Sequence, residues 1–274
     1  MSNWLITGCS SGLGYNLALS ALKAGNNVTV TARHTEKIQE IVNQYPDHAI
    51  ALALDVTDPE QIKSAVAASK DRFGAIDVLV NNAGHGYRAA VEEGGTADVD
   101  ELFETNFFGP VRLIKAVLPD MRSKKQGAIV NISSIAAKNS LAGSGYYAAT
   151  KNALEAMSKS LRREVLPLGI KVMVVEPGAF RTDFAGRSIK ESAAVIDDYA
   201  QTAGLRRKDN DHSSSTQPGD PKKAGDLLVE AVQSDHTPDM LLLGSDAIKV
   251  VNHELQADID GLKAWEDKSK ETDF

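Results

Sequence analysis

The chain has 274 residues, 42% of them hydrophobic and 24% charged, with a formal net charge of -7. This is an ordinary globular composition, and its acidity argues against a general affinity for nucleic acid or for anionic membranes. No apolar run approaches the ~18–20 residues needed to cross a bilayer, and Cys9, the one cysteine, has no partner for an intrachain disulfide.

The N-terminus enters a strand-like run directly, without the basic and apolar regions of a signal peptide, so a cytoplasmic protein is expected. Strands are expected at Trp4–Thr7, Asn27–Thr31, Ile50–Leu54, Val78–Asn81, Ala128–Ile132, Lys171–Val175 and Met240–Leu243. Most are nearly continuous apolar runs, as in a parallel sheet buried on both faces. Helix signals lie between them. Gly25 follows Leu13–Ala24 as a C-terminal stop, and Asp58-Pro59 caps an amphipathic run to Phe73. The alternation predicts an α/β fold: a doubly wound, Rossmann-type parallel sheet of about seven strands in a single domain spanning 1–274. The exception is Thr182–Asp220, whose second half, Arg206–Asp220, is polar and aperiodic. Too little follows it to form a second core, so it is expected to be a mobile substrate loop near the site.

The first strand runs into TGCSSGLG, which holds Gly8, Gly12 and Gly14. Glycines at such a turn let the backbone approach a pyrophosphate at the N-terminus of the following helix. The spacing departs from the common G-x-G-x-x-G, but the strand-before, helix-after context is the required one. At the end of the second strand an acid would bind the ribose 2′-hydroxyl of NAD, whereas arginine accommodates the 2′-phosphate of NADP. Ala32 stands where the acid would fall and Arg33 follows, which favours NADP(H) over NAD(H).

With these residues in view, the chain resembles the short-chain dehydrogenase/reductase family over nearly its whole length. The resemblance implies cofactor contacts from Gly8, Ser10, Ser11, Gly12, Leu13, Gly14 and Arg33. It implies further contacts from Asp55-Val56 at the adenine and from the Asn82-Ala83-Gly84 portion of the NNAG signature. Pro177, Gly178 and Thr182 in EPGAFRTD are similar to the segment over the nicotinamide, with Thr182 on the carboxamide. Asn106, Ser134, Tyr147 and Lys151 match the family's catalytic positions, and the last two also contact cofactor. Ser133 competes with Ser134, which stands at the family's spacing of thirteen residues before the tyrosine. The TAR, PGAFRTDF and LLLGSDA segments resemble the 17β-hydroxysteroid and retinol dehydrogenase-like branch. A homodimer or homotetramer is implied, built on Gly109–Arg122 and Tyr147–Arg163.

The chemistry implied is hydride transfer between a nicotinamide and a carbonyl/alcohol substrate, with Tyr147 as general acid/base. Tyr147 and Lys151, four residues apart, share a helix face, and the ammonium is expected to lower the tyrosine pKa. Asn106 is expected to hold a water linking Lys151 to solvent, and Ser134 to bond the substrate oxygen. The alternatives are a nucleotide-retaining epimerase or lyase, or a non-catalytic NADP-sensing protein. Several residues admit a plainer reading. Cys9 is expected to fill loop space, and the six histidines lack metal-ligand spacing. His85 and Tyr87 are either pocket rim or solvated loop; Phe180, Phe184 and Ile189 are either pocket wall or core. The Arg206-Arg207-Lys208 run is expected to be solvated.

Overall fold

The computed structural model describes residues 1–209 and 216–274. In chain order it runs β1 (Asn3–Ile6), α1 (Gly12–Lys23), β2 (Asn27–Ala32), α2 (Gln39–Gln44), β3 (Ala49–Ala53), α3 (Pro59–Phe73), β4 (Val78–Asn81) and β5 (Gly86–Arg88). Then come α4 (Thr96–Phe103), α5 (Gly109–Lys124), β6 (Gly127–Ile132), α6 (Gly145–Val165), β7 (Ile170–Pro177), α7 (Phe184–Arg187) and β8 (Ile189–Glu191). The chain closes with α8 (Ala203–Asp209), α9 (Pro221–Gln233), β9 (Met240–Leu243) and α10 (Ser245–Lys270).

All seven expected strands join one parallel sheet in the order β3-β2-β1-β4-β6-β7-β9. Alternation along each strand divides its side chains between two cores. Trp4, Ile6, Val28 and Val30 pack with Leu17, Ala21 and Leu228 of α1 and α9. Leu5, Leu79, Ile129 and Val172 pack with Val66, Leu113 and Leu161 of α3, α5 and α6. The central strands are therefore buried on both faces, while the edge strands β3 and β9 are only partly covered. The order reverses between β1 and β4, and the crevice at the carboxyl ends of the strands beside such a switch point is where open α/β sheets take ligands.

The helix signals operate locally as expected. The Asp58 side chain accepts from the Glu60 and Gln61 amides, Pro59 opens α3, and Gly25 adopts φ +80° just past α1. The segment after Thr182 needs correction. It is not a plain loop: it carries α7, β8, a 3₁₀ turn at Asp197–Tyr199 and α8. β8 pairs with β5, Gly86 against Ile189 and Arg88 against Glu191. These strands have three residues each and no apolar alternation, so no periodic signal marks them. Arg206 and Arg207 are helical rather than aperiodic and are only partly exposed, while 210–215 lies outside the described residues.

Candidate active site

The turn after β1 is built by glycine. Gly8 and Gly12 have φ of +70° and +63°, a region that L side chains avoid. A Cβ on Gly8 would lie 2.9 Å from the Ala83 Cα, and one on Gly14 would lie 2.3 Å from Asn82 Nδ2. The NNAG turn thus packs directly on the glycine loop. Asn82 Nδ2 donates to the carbonyls of Thr7 (2.8 Å) and Gly8 (3.0 Å), and Thr7 Oγ1 accepts from the Asn82 and Ala83 amides. The side chain of Ser11, the N-cap of α1, makes no capping hydrogen bond among the described residues, and free amides at a helix N-terminus favour an anion.

A cavity of about 810 Å³ opens over these turns, lined by Gly8, Ser10, Ser11, Gly12, Leu13, Arg33, Asp55, Val56, Asn82, Ala83, Gly84, Ser134, Tyr147, Lys151, Pro177, Gly178 and Thr182. The structure thus brings together, from six strand ends and α6, all the expected site residues except Gly14 and Asn106. Gly14 is buried beneath the loop, where it permits the Asn82 contact. Asn106 is 1% exposed, within a π-helical turn at Glu104–Phe108. Its Oδ1 accepts from the His85 amide (3.0 Å), and its Nδ2 donates to the His85 carbonyl and to Thr150 Oγ1. This side chain braces the floor under Gly84 through its bonds to His85 and Thr150.

The two serines separate cleanly. Ser133 is 3% exposed and donates from Oγ to Glu155 Oε1 at 2.6 Å. Ser134 lies against Tyr147, and its hydrogen bond lowers the phenol pKa, as does the nearby Arg88 charge. Burial outweighs both and pushes Tyr147 up to about 12. Lys151 Nζ lies 5.8 Å from the Tyr147 ring centroid and donates to the Ile132 carbonyl at 2.9 Å. Burial brings Lys151 down to about 8 against the opposing pull of Glu155. The tyrosine pKa, expected to fall beside Lys151, is instead raised by burial, with Ser134 and Arg88 supplying only an opposing pull.

Behind these groups lies an ion cluster that gave no sequence signal. Lys138 pairs with Glu155 and, at 3.6 Å, with Glu176; the two carboxylates are 2% and 0% exposed. Burial and the Glu155 charge raise Glu176 to about 7. Three active-site segments meet at the cluster: the serine turn through Ser133 and Lys138, α6 through Glu155, and the Pro177-Gly178 turn through Glu176. Asp246, in the first turn of α10, accepts from the Ala179 amide at 2.7 Å and secures that turn from the other side.

Over the cavity, Glu93 anchors the segment after Thr182. Its carboxylate accepts from the amides of Ala90 (2.8 Å) and Ile196 (2.9 Å) and pairs with Arg207, and its carbonyl accepts from Ser192 Oγ. Lys190 pairs with Glu101 at 2.5 Å. Arg207 is thus a tether rather than a solvated charge.

The ambiguous residues also sort. Phe184 stacks on Tyr147 with ring centroids 6.0 Å apart, and both Phe184 and Phe180 line the cavity. Ile189 instead packs over Gly86. His85 lines the cavity, whereas Tyr87 is buried against Tyr146. Tyr146, the alternative tyrosine, donates to the Val91 carbonyl at 2.7 Å, away from the lysine. Cys9 is fully buried, with its thiol pushed up to about 12 by burial. Among the described residues no His/Cys/Asp/Glu group is arranged to hold a metal, and no helix is long and apolar enough to cross a membrane.

Comparison with known proteins agrees with this geometry. The short chain dehydrogenase family model matches residues 2–193. Oxidoreductase BOA17 of Botryotinia fuckeliana is 37% identical over 247 residues, 90% of each chain. A 3-ketodihydrosphingosine reductase of Bacteroides thetaiotaomicron is 40% identical over 200 residues, covering 72% of this chain and 71% of its own. A crystal structure of a short-chain dehydrogenase from Streptomyces avermitilis superposes with a TM-score of 0.93 at 43% identity, covering both chains completely.

Proposed function

The chain belongs to the short-chain dehydrogenase family, and we propose that it is an NADP(H)-dependent oxidoreductase acting on a carbonyl/alcohol pair, with Tyr147 as general acid/base. The observation that carries this is the opening of one cavity onto the glycine loop, Arg33, Ser134, Tyr147 and Lys151 together. The fit to a dinucleotide is geometric. Gly8 and Gly14, where a Cβ would strike Ala83 and Asn82, let the loop pack into the shape that floors the cavity, and the start of α1 faces the same cavity through Gly12 and Leu13.

The glycine loop and α1 amides hold the pyrophosphate, Arg33 the 2′-phosphate, and Asp55 with Val56 the adenine. Ala83, Gly84 and Lys151 border the nicotinamide ribose, and Thr182 with Pro177-Gly178 borders the carboxamide. When bound, the cofactor supplies or accepts the hydride. Tyr147 holds the proton for the substrate oxygen, and Ser134 and the Arg88 charge oppose the burial that raises its pKa. Ser134 fixes the phenol and the substrate oxygen, while Phe180 and Phe184 give the cavity apolar walls. Asn106 keeps the floor beside Lys151 in place.

A homo-oligomer assembled through α5 and α6, and a cytoplasmic location in keeping with a lone buried thiol, complete the proposal.

The test is a titration with NADPH and with NADH, following nicotinamide fluorescence, repeated with Arg33→Ala. Loss of a charge-assisted contact costs about 1.5–3 kcal/mol. Because Arg33 is exposed, solvent screening places the effect at the lower end, roughly a tenfold loss for NADPH. NADH affinity is expected to stay unchanged. Equal affinities that ignore Arg33 would overturn the NADP assignment.

A further inference from the structure

The C-terminal helix raises a question that the active site does not answer. Of its residues only Ala247 and Val251 are buried. From Leu255 to Lys270 every residue is exposed, so the helix projects from the body for about 24 Å at the usual ~1.5 Å per residue. An isolated helix of that length is marginal in water. Local side-chain pairs such as Gln256 with Asp260 and Glu266 with Lys270 add little to it.

The projecting part is nevertheless amphipathic. Leu255, Ile259, Leu262 and Trp265 are 44%, 44%, 74% and 68% exposed. At about 100° per residue they fall within a stripe of roughly 120° that continues the line of Ile248. Large apolar side chains gathered on one face mark an interaction site more than a solvated surface.

We propose that this stripe is a self-association surface, on which the C-terminal helices of two copies of the chain pack antiparallel about a two-fold axis at Gly261. This interface would be additional to any formed by α5 and α6. The register follows from the sequence. Centring the pair on Gly261 sets Leu262 and Ile259 of the two copies against each other on either side of the axis and brings Leu255 to Trp265. It also places Glu254 of each copy opposite Lys268 of the other, on the same flank of the seam.

Charge argues against a lipid occupant. From Glu254 onward the chain carries seven carboxylates and three lysines, whereas helices that lie on anionic membranes present basic polar faces. An isologous pair is also the commonest symmetric assembly, and a stripe that complements itself is what it requires.

The test is the solution mass of the full chain by light scattering and sedimentation, compared with L262E/W265E. Both side chains are exposed and touch no core residue, so the variant is expected to keep its thermal midpoint and its NADPH affinity. The wild type is expected to have twice the mass of the variant and to stay associated at high salt. K268E, which sets Glu254 against a second acid, should weaken association several-fold, and E254K/K268E should restore it. Equal masses for wild type and L262E/W265E overturn the proposal. So does a monomeric wild type that binds a basic protein and releases it at high salt, or one that binds vesicles of anionic lipid. None of these readouts depends on oxidoreductase activity. A failed association therefore leaves the proposed reaction untouched, and a failed reaction leaves the association standing.

Discussion

Gly14→Ala sets two opposing effects against each other, and the structure decides between them. The residue lies in the first turn of α1, where alanine in place of glycine would ordinarily favour the helix by about 1 kcal/mol. The added methyl, however, would stand 2.3 Å from Asn82 Nδ2 and 2.6 Å from the Gly8 carbonyl. Asn82 must move, and its bonds to Thr7 and Gly8 lengthen or break. Those two bonds carry about 0.5–1.5 kcal/mol each, and the overpacking adds ~1–3 kcal/mol. The net expectation is destabilisation by about 1–5 kcal/mol. At ~2–4 °C per kcal/mol for a chain of this order, the melting midpoint should fall by several degrees. Scanning calorimetry with and without NADPH measures this. The shift produced by NADPH should also shrink, because the loop that moves is the one that holds the pyrophosphate. A midpoint that is unchanged or higher, with a full NADPH shift, would refute both the packing argument and the assignment of this loop.

Two further outcomes follow from buried ionisable groups. Glu176 has a folded pKa raised above its ordinary value to about 7, so the stability it contributes is present at low pH and lost as pH rises from about 4.5 through 7. Glu176→Gln, which keeps the neutral form, should match the wild type near pH 5 and melt higher at pH 8; identical pH–stability curves would count against a proton held there. Cys9, with its thiol pushed up to about 12 and donating to the Ile6 carbonyl at 3.2 Å, should resist an aromatic disulfide reagent in the native state and react on unfolding. Rapid native labelling would show that the glycine loop opens.

Much of this architecture was legible because burial writes a simple pattern. Strands covered on both faces need unbroken apolar runs, and β4 begins and ends where its run does. The cofactor turn was legible because only glycine tolerates the backbone and the contacts found at Gly8, Gly12 and Gly14. What escaped is tertiary. Lys138, Glu155 and Glu176 stand far apart in the chain and read singly as surface charges; only the fold brings them into one dry cluster. Glu93 likewise looks solvated until the Ala90 and Ile196 amides and Arg207 close on it. The β5–β8 pair is too short for periodicity to register. The expected effect of Lys151 on Tyr147 failed for a different reason. Helical spacing places two residues on one face but does not fix where a long lysine directs its ammonium, which here reaches the Ile132 carbonyl.

The most direct test of the reaction is NADPH consumption with a panel of carbonyl compounds, wild type against Tyr147→Phe. The phenylalanine keeps the ring packed on Phe184 and removes only the hydroxyl bonded to Ser134. Turnover should fall by roughly 10²–10⁴-fold, the usual contribution of a positioned acid/base, while NADPH affinity stays at the wild-type value. A variant that reduces the same carbonyl at the wild-type rate would contradict the role given to Tyr147, and the proposed mechanism would fall with it.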